Sequence, residues 1–215
     1  MPDLDFRVEG AEVLEFAAVP SLLFKLRIEN LEEEPIRSVA LNTQIRIAAT
    51  QRYYDAAEQE RLLEVFGEPS RWKDTLRSLL WTHTVLQVPP FSGSTVVDMP
   101  VTCTYDLEVV WAKYFYALEE GEVPLEFLFS GTVFYAGQDG RLQVERISWE
   151  KEAEFRLPVR LWKEMMERYF PNSAWIRLRR DAFDRLYNYK ARRGLPTWEA
   201  AVDALLRASE QEVGQ

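Results

Sequence analysis

The residue types that most often carry out covalent or metal chemistry are scarce in this chain. It contains one histidine, His83, and one cysteine, Cys103. A Ser-His-Asp or Cys-His arrangement would have to use that histidine, and no serine lies in a nucleophile-elbow sequence. One histidine and one cysteine cannot form a typical zinc site, and no acidic cluster has the spacing of a magnesium site. We therefore predict no catalytic residue, no metal and no cofactor.

Two further patterns that could do chemistry are weak. No glycine-rich segment matches a phosphate-binding loop of the Walker or dinucleotide type. Asp55 and Glu58 could in principle act as an acid–base pair. A helix that begins at Asp55 explains them more simply, because a carboxylate is favoured at the positive end of the helix dipole.

The strongest candidate for a binding site is a basic segment near the end of the chain. Residues 156–193 contain eleven lysines and arginines against four acidic residues, although the whole chain has a net charge of −9. The acidic total argues against general nucleic-acid binding. The basic segment could dock an acidic partner or a phosphate-bearing ligand, or it could face the acidic part of the chain or solvent. The candidate partner-binding residues are Arg177, Arg179, Arg180, Arg185, Lys190, Arg192 and Arg193.

Aromatic residues are the second candidate. The chain has seven tryptophans, nine tyrosines and twelve phenylalanines, which is more than a core of this size requires. We expect the aromatic residues of 111–116 and 127–135 to lie mainly in the core. We expect part of the excess to lie at an interface with another protein or with a second copy of this chain.

Most of the first 150 residues have the period of β-strands. Apolar residues recur at every second position in 4–8, 22–28, 39–47 and 101–109, which predicts half-buried strands. The acidic, proline-containing stretch 30–35 predicts a turn that joins strands 22–28 and 39–47 in an antiparallel hairpin. We expect this hairpin to be the founding hairpin of the sheet. Segments 125–135 and 142–149 predict another hairpin, joined by the loop 137–140.

Helical periodicity appears in the middle and at the end of the chain. Residues 57–80 predict a helical insertion with an apolar face that includes Trp72, Leu76, Leu79 and Leu80. A short helix is predicted at 111–118, and three more helices after Pro158, at 179–193 and after Pro196.

This order of elements predicts an α+β fold. We expect an antiparallel β-sandwich-like domain with a helical insertion and three C-terminal helices. Residues 1–156 would form the β domain, with the insertion at about 57–80. Residues 157–208 would pack on it as a helical segment, and 209–215 would form a flexible tail.

The compartment is suggested by what the sequence lacks. Its beginning has neither the basic segment nor the apolar run of a secretion signal, and no apolar run approaches the roughly 20 residues that span a bilayer. A single cysteine excludes an internal disulfide and fits a reducing compartment. We expect a soluble cytoplasmic protein.

Several long strings of the sequence are similar to a bacterial family with a domain of unknown function. They are KYFYALEEGEVPLEFLFSGTVFY, LPVRLWKEMMERYFPNSAWIRL, YKARRGLPTWEAAVDALL and the short QIRI. The genes of that family lie near those for high-affinity uptake nickel–iron hydrogenases. The resemblance implies an accessory role in assembling or maturing a hydrogenase, and it implies no specific residues.

We therefore predict a non-enzymatic binding or assembly protein, associated with a hydrogenase subunit or a maturation factor. Two alternatives stay open. One is an enzyme with an unrecognised carboxylate or tyrosine site in a cleft of the sandwich, and the other is a carrier of a small apolar ligand.

Overall fold

The chain forms two antiparallel β-sheets followed by helices. A computed structural model describes residues 2–137, 140–173 and 176–213. The chain divides into two compact units, the first ending at residue 175 and the second beginning at residue 176. The strands are β1 (Leu4–Val13), β2 (Ser21–Asn30), β3 (Ile36–Ile47), β4 (Leu79–Val88), β5 (Ser94–Thr102), β6 (Glu122–Ala136), β7 (Leu142–Arg146) and β8 (Glu152–Pro158).

The two sheets pack face to face. The first has the order β1-β2-β5, and the second has the order β4-β3-β6-β7, with β8 also paired to β6. Phe24 of β2 contacts rings of the opposite sheet, at 6.2 Å from Trp81, 5.3 Å from Phe127 and 5.9 Å from Phe155 between ring centroids. These rings occupy the space between the sheets, and with the helices they confirm the predicted α+β, sandwich-like fold.

The predicted founding hairpin is wrong. β2 pairs with β1 and β5, whereas β3 pairs with β4 and β6, so residues 31–35 cross from one sheet to the other. The buried Asn30 side chain anchors this crossing, because its Oδ1 accepts from the N–H of Asp3 at 3.2 Å and its Nδ2 donates to the carbonyl of Glu34 at 2.8 Å. Both strands are apolar on one face because they bury that face in the same core from opposite sides.

The helices are α1 (Ala56–Arg61), α2 (Leu63–Phe66), α3 (Trp72–Thr75), α4 (Val110–Ala117), α5 (Val159–Tyr169), α6 (Arg180–Arg192) and α7 (Trp198–Val213). The helical insertion is therefore present, as short turns. The predicted apolar helix face is wrong for Leu79 and Leu80, because α3 ends at Thr75 and these two residues belong to β4.

The predicted strand at 101–109 is wrong beyond Thr102. Thr104 Oγ1 accepts from the N–H of Asp106 at 3.1 Å, and Asp106 Oδ1 accepts from the N–H of Glu108 at 3.0 Å. Such local bonds between side chain and backbone compete with a strand ladder. The chain consequently turns here and enters α4, the short helix predicted at 111–118.

The long strand β6 pairs with two strands along one edge. β8 pairs with its first half, Glu122–Leu128, and β7 pairs with Thr132–Ala136. The pairing of β6 with β7 confirms the second predicted hairpin, although Gln138 and Asp139 of its loop lie outside the described residues. β8 was not predicted, although Ala153, Phe155 and Leu157 alternate with charged residues.

The three C-terminal helices occur where they were predicted. α5 packs against β1 and β8 within the first unit, whereas α6 and α7 pair with each other in the second. The packing of α6 and α7 on the β domain stays a prediction. α7 continues to Val213, so a helix extends into the segment predicted as a flexible tail.

Candidate interaction surfaces

The histidine and the cysteine do not form a catalytic pair. His83 lies on an exposed position of β4, and Cys103 is buried just after β5 in the other sheet. The thiol of Cys103 donates to the carbonyl of Val101 at 3.6 Å, and burial raises its pKa to about 12. A thiol with this pKa stays protonated at neutral pH, which makes it a poor nucleophile.

Asp55 and Glu58 are structural. Asp55 is the N-cap of α1, and its Oδ1 accepts from the N–H of Glu58 at 2.8 Å. The Glu58 carboxylate is buried and accepts from Arg52 Nη2 at 2.6 Å, while the same guanidinium donates to the carbonyls of Glu120 and Glu122 at 2.8 Å. This ion pair ties the start of the insertion to the loop before β6.

The predicted basic residues lie in and around α6. Those within α6 stand on different faces of the helix. Arg185 and Arg192 are seven residues apart and therefore share one face. Lys190 lies on another face, where its Nζ is 5.5 Å from the ring centroid of Trp198. Arg193 lies 5.1 Å from the ring of Tyr189. Their role in partner binding stays a prediction.

Few of these cations are neutralised. Arg179 Nη2 is 3.4 Å from Asp181 Oδ2, with both side chains exposed. No residue that the structure describes forms an ion pair with Arg177, Arg180, Arg185 or Arg192.

The helix pair formed by α6 and α7 exposes an apolar stripe. The rings of Phe183, Tyr187 and Trp198 contact one another at centroid distances of 5.4 to 6.4 Å. They are nevertheless 42%, 56% and 38% exposed, and Leu205 and Leu206 of α7 are exposed as well. No residue of α6 is buried. These rings and leucines leave much apolar area in water, which is typical of an interaction surface.

A second surface, which the sequence did not predict, is a groove on the first unit with a volume of about 950 Å³. Its floor includes Trp162 and Met166 of α5, both buried. The ring of Tyr105 lies 6.0 Å from that of Trp162 and stacks on Phe170 at 5.6 Å and 11°. We call this surface the aromatic groove.

Tyr116, four glutamates and three basic residues also line the aromatic groove. Tyr116 is 49% exposed, and its ring lies 6.2 Å from that of Tyr105. The four carboxylates belong to Glu119, Glu120, Glu164 and Glu167. Burial raises the pKa of the Tyr105 phenol, and the neighbouring Tyr116 and Glu167 raise it further. Tyr105 therefore stays protonated at neutral pH and can act as a hydrogen-bond donor, which is the opposite of a general base.

The alternation of 101–109 concealed this groove. It assigned Tyr105 to the buried face of a strand, whereas the turn at 104–109 directs its ring to the groove. Tyr116 was expected in the core with its neighbours in α4, and Tyr114 and Phe115 are indeed buried.

Family membership follows from the sequence as a whole. The model of a family of unknown function, DUF6084, matches residues 1–214. The chain belongs to this family. No curated protein matches it. Membership of the family supplies no activity and no site residues, so the surfaces described above are the basis for a function.

Several solved structures resemble the chain weakly. The CARDB domain of the PF1109 protein from Pyrococcus furiosus, in complex with di-metal ions, is 12% identical with a TM-score of 0.30, over 73% of this chain and 92% of that one. A putative late embryogenesis abundant protein is 15% identical with a TM-score of 0.35, over 74% and 73%. Beta-glucosidase 3B from Thermotoga neapolitana is 13% identical with a TM-score of 0.26, over 72% of this chain and 17% of that one. Such similarities do not support a functional assignment.

Among residues 2–137, 140–173 and 176–213, no three histidine, cysteine or acidic side chains come together as a metal site. In the same residues, no helix combines the length and the apolar character needed to cross a membrane.

Proposed function

We propose that this protein is a non-enzymatic binding or assembly protein that uses the α6–α7 helix pair to dock an acidic partner protein in the cytoplasm. The observation that carries the proposal is the exposed ring cluster of Phe183, Tyr187 and Trp198. Two of its rings belong to α6, the helix in and around which the basic residues lie. An interface of this kind combines apolar anchors with charges that orient the partner.

Charge gives the class of partner. Residues 176–193 contain seven basic and two acidic residues. Several of the arginines lack an ion pair in the described part of the chain, so a partner with carboxylates could pair with them at little cost of broken contacts. The sequence resemblance supplies the finer part of the proposal, which is that the partner is a hydrogenase subunit or a maturation factor.

The proposal is tested by affinity purification of the tagged full-length protein from its native host, followed by mass spectrometry. The test variant is R179E/R180E/R192E. The control variant R7E/R37E/R71E changes the net charge equally at exposed arginines of the first unit. We expect a co-purifying acidic protein that the test variant loses and the control retains.

Two outcomes would contradict the proposal. A partner that both variants retain does not use the basic residues of α6, and a partner that both variants lose responds only to net charge. Recovery of hydrogenase subunits or maturation factors would support the proposed identity of the partner. Recovery of an unrelated acidic partner would support the docking surface and contradict the proposed link to a hydrogenase.

A further inference from the structure

The aromatic groove of the first unit has the opposite electrostatic character to the basic segment 176–193. The four glutamates that line it face three cations, Arg61, Lys163 and Arg168. Two of these cations are occupied, because Arg61 Nη1 lies 2.6 Å from Glu119 and Arg168 Nη1 lies 3.5 Å from Glu15. The surrounding sequence is strongly acidic as well, with 29 acidic and 18 basic residues in 1–175.

Three of the groove carboxylates are available to a ligand. Glu167 accepts a hydrogen bond from the N–H of Asn172 at 3.0 Å, which leaves its charge without a cation. Glu120 and Glu164 form no ion pair with any residue in the described ranges. The groove therefore presents these three carboxylates against one unpaired lining cation, Lys163, which leaves an excess of negative charge beside the rings of Tyr105 and Tyr116.

Rings and carboxylates together are the chemistry that recognises a cation. The faces of aromatic rings carry partial negative charge, which attracts a guanidinium or ammonium group placed over them. A planar guanidinium can also stack on a tyrosine while its N–H groups donate to carboxylates. The groove thus offers both types of contact to one cationic group.

The shape of the surface favours a chain over a single small cation. A second cavity of about 310 Å³ adjoins the first and shares Arg61 and Tyr116 with it. It adds Glu64 and Glu108, of which Glu64 is 2.7 Å from Lys113 Nζ. Tyr116 stands between the two cavities, so successive side chains of one extended segment could enter on its two sides.

We propose that the aromatic groove binds an extended, arginine-bearing segment of a partner protein, with one guanidinium against the Tyr105 and Tyr116 rings and beside the Glu164 and Glu167 carboxylates. This site consists of residues of the first unit, takes a ligand of opposite charge to the partner proposed above, and does not depend on the proposed function. Its occupant is defined by charge complementarity with the groove.

The test uses a fluorescein-labelled peptide of alternating arginine and glycine and the full-length protein, with binding followed by fluorescence anisotropy. A second peptide replaces each arginine by citrulline, which has the same shape without the charge. We expect the arginine peptide to bind at least about tenfold more tightly than the citrulline peptide. Equal binding of the two peptides would overturn the proposal.

Variants identify the groove. Tyr116→Ala and the pair E164Q/E167Q should each weaken binding of the arginine peptide at least about fivefold. The matched controls are Trp149→Ala, at a 90% exposed ring outside the groove, and E150Q/E152Q, which makes the same change of charge at exposed positions. If the controls weaken binding as much as the groove variants, the attraction is general to an acidic protein and the assignment fails.

Further arms separate the possible occupants. Spermine that displaces the peptide at equal or lower concentration would show that the groove selects small polyamines, which overturns the choice of a protein segment. A dimer in sedimentation velocity that E164Q/E167Q abolishes would assign the groove to a second copy of this chain and overturn the choice of a different protein. R179E/R180E/R192E should still bind the peptide, so failure of this proposal and failure of the helix-pair proposal can be distinguished.

Discussion

At the scale of single residues, the two buried tyrosines beneath the insertion make the stability of the protein depend on pH. Tyr54 and Tyr114 are both buried, with their hydroxyl oxygens 2.7 Å apart, and the hydroxyl of Tyr54 donates to the carbonyl of Ala49 at 2.7 Å. Since that donation uses the proton of Tyr54, the proton between the two rings belongs to Tyr114. Both phenols must therefore be protonated in the folded chain.

Burial determines the direction of the pH effect. It raises the pKa of Tyr54 to about 12, and it raises the pKa of Tyr114 above its ordinary value, with a further contribution from Tyr54. A phenol with a raised pKa in the folded state contributes its full stability below about pH 10, where the unfolded chain is also protonated. Above that pH the unfolded chain ionises first, so the free energy of unfolding falls until the folded phenol ionises.

We predict that the free energy of unfolding falls by about 1.4 kcal/mol per pH unit for each of these tyrosines as the pH rises above about 10. Urea denaturation at about pH 9, 10 and 11 measures this slope. The variant Y54F/Y114F should show a flatter slope, because neither residue can ionise. Tyr53→Phe is the matched control at an 86% exposed ring, and it should keep the wild-type slope. A double variant as steep as wild type would show that other groups cause the loss.

At the scale of elements, β6 depends on one glycine. Gly131 lies between the part of β6 that pairs with β8 and the part that pairs with β7. Its φ is +141°, which L side chains rarely adopt, and a Cβ at this position would lie 2.0 Å from the carbonyl oxygen of Ala40 in β3. Only glycine allows the two strands to stay in register here.

Gly131→Ala should lower the free energy of unfolding by about 2 kcal/mol or more, because either β6 or β3 must move away. Gly10→Ala is the control in another strand, where a Cβ would have no heavy atom within 4 Å and φ is not positive. It should change stability little. Equilibrium denaturation of both variants tests the prediction, which fails if Gly131→Ala is as stable as Gly10→Ala.

The elements also show how far the sequence could be interpreted. Alternation identified most strands correctly, because burial of one face leaves a local signal every two residues. It could not identify the neighbours of β2 and β3, because strand pairing is decided by contacts far apart in sequence. An acidic turn with Pro35 suits a connection between sheets as well as a hairpin.

The candidate sites were predicted unequally for a related reason. The basic residues of α6 could be read directly from composition. The aromatic groove could not, because it brings together Arg61, Tyr105, Tyr116 and residues of α5 that are distant in the chain. Tyr105 also continued a regular alternation that hydrogen bonds of Thr104 and Asp106 interrupt.

At the scale of the whole molecule, the chain joins two units of unlike charge. The acidic first unit holds the sandwich and the aromatic groove, and the second, residues 176–215, holds α6 and α7 with eight basic and six acidic residues. Two binding sites on one chain raise the local concentration of one partner near the other. If both proposals hold, the protein would bring a basic segment and an acidic surface together, which is a sufficient basis for an assembly role.

The difference in burial predicts how the units open. Every second residue at the centre of β3 is buried between β4 and β6, whereas α6 buries none and, among the described side chains of α7, only Ala201 is buried. About forty residues with so little buried apolar area gain little free energy from folding. We therefore expect the amide hydrogens of α6 and α7 to exchange at least about a hundredfold faster than those of β3, as measured by hydrogen–deuterium exchange with mass spectrometry.

A partner that covers the apolar stripe would slow exchange in the helix pair and leave β3 unchanged. Equal protection of α6 and β3 in the free protein would mean that the pair is already stabilised without a partner, and the main argument for docking at this surface would be lost.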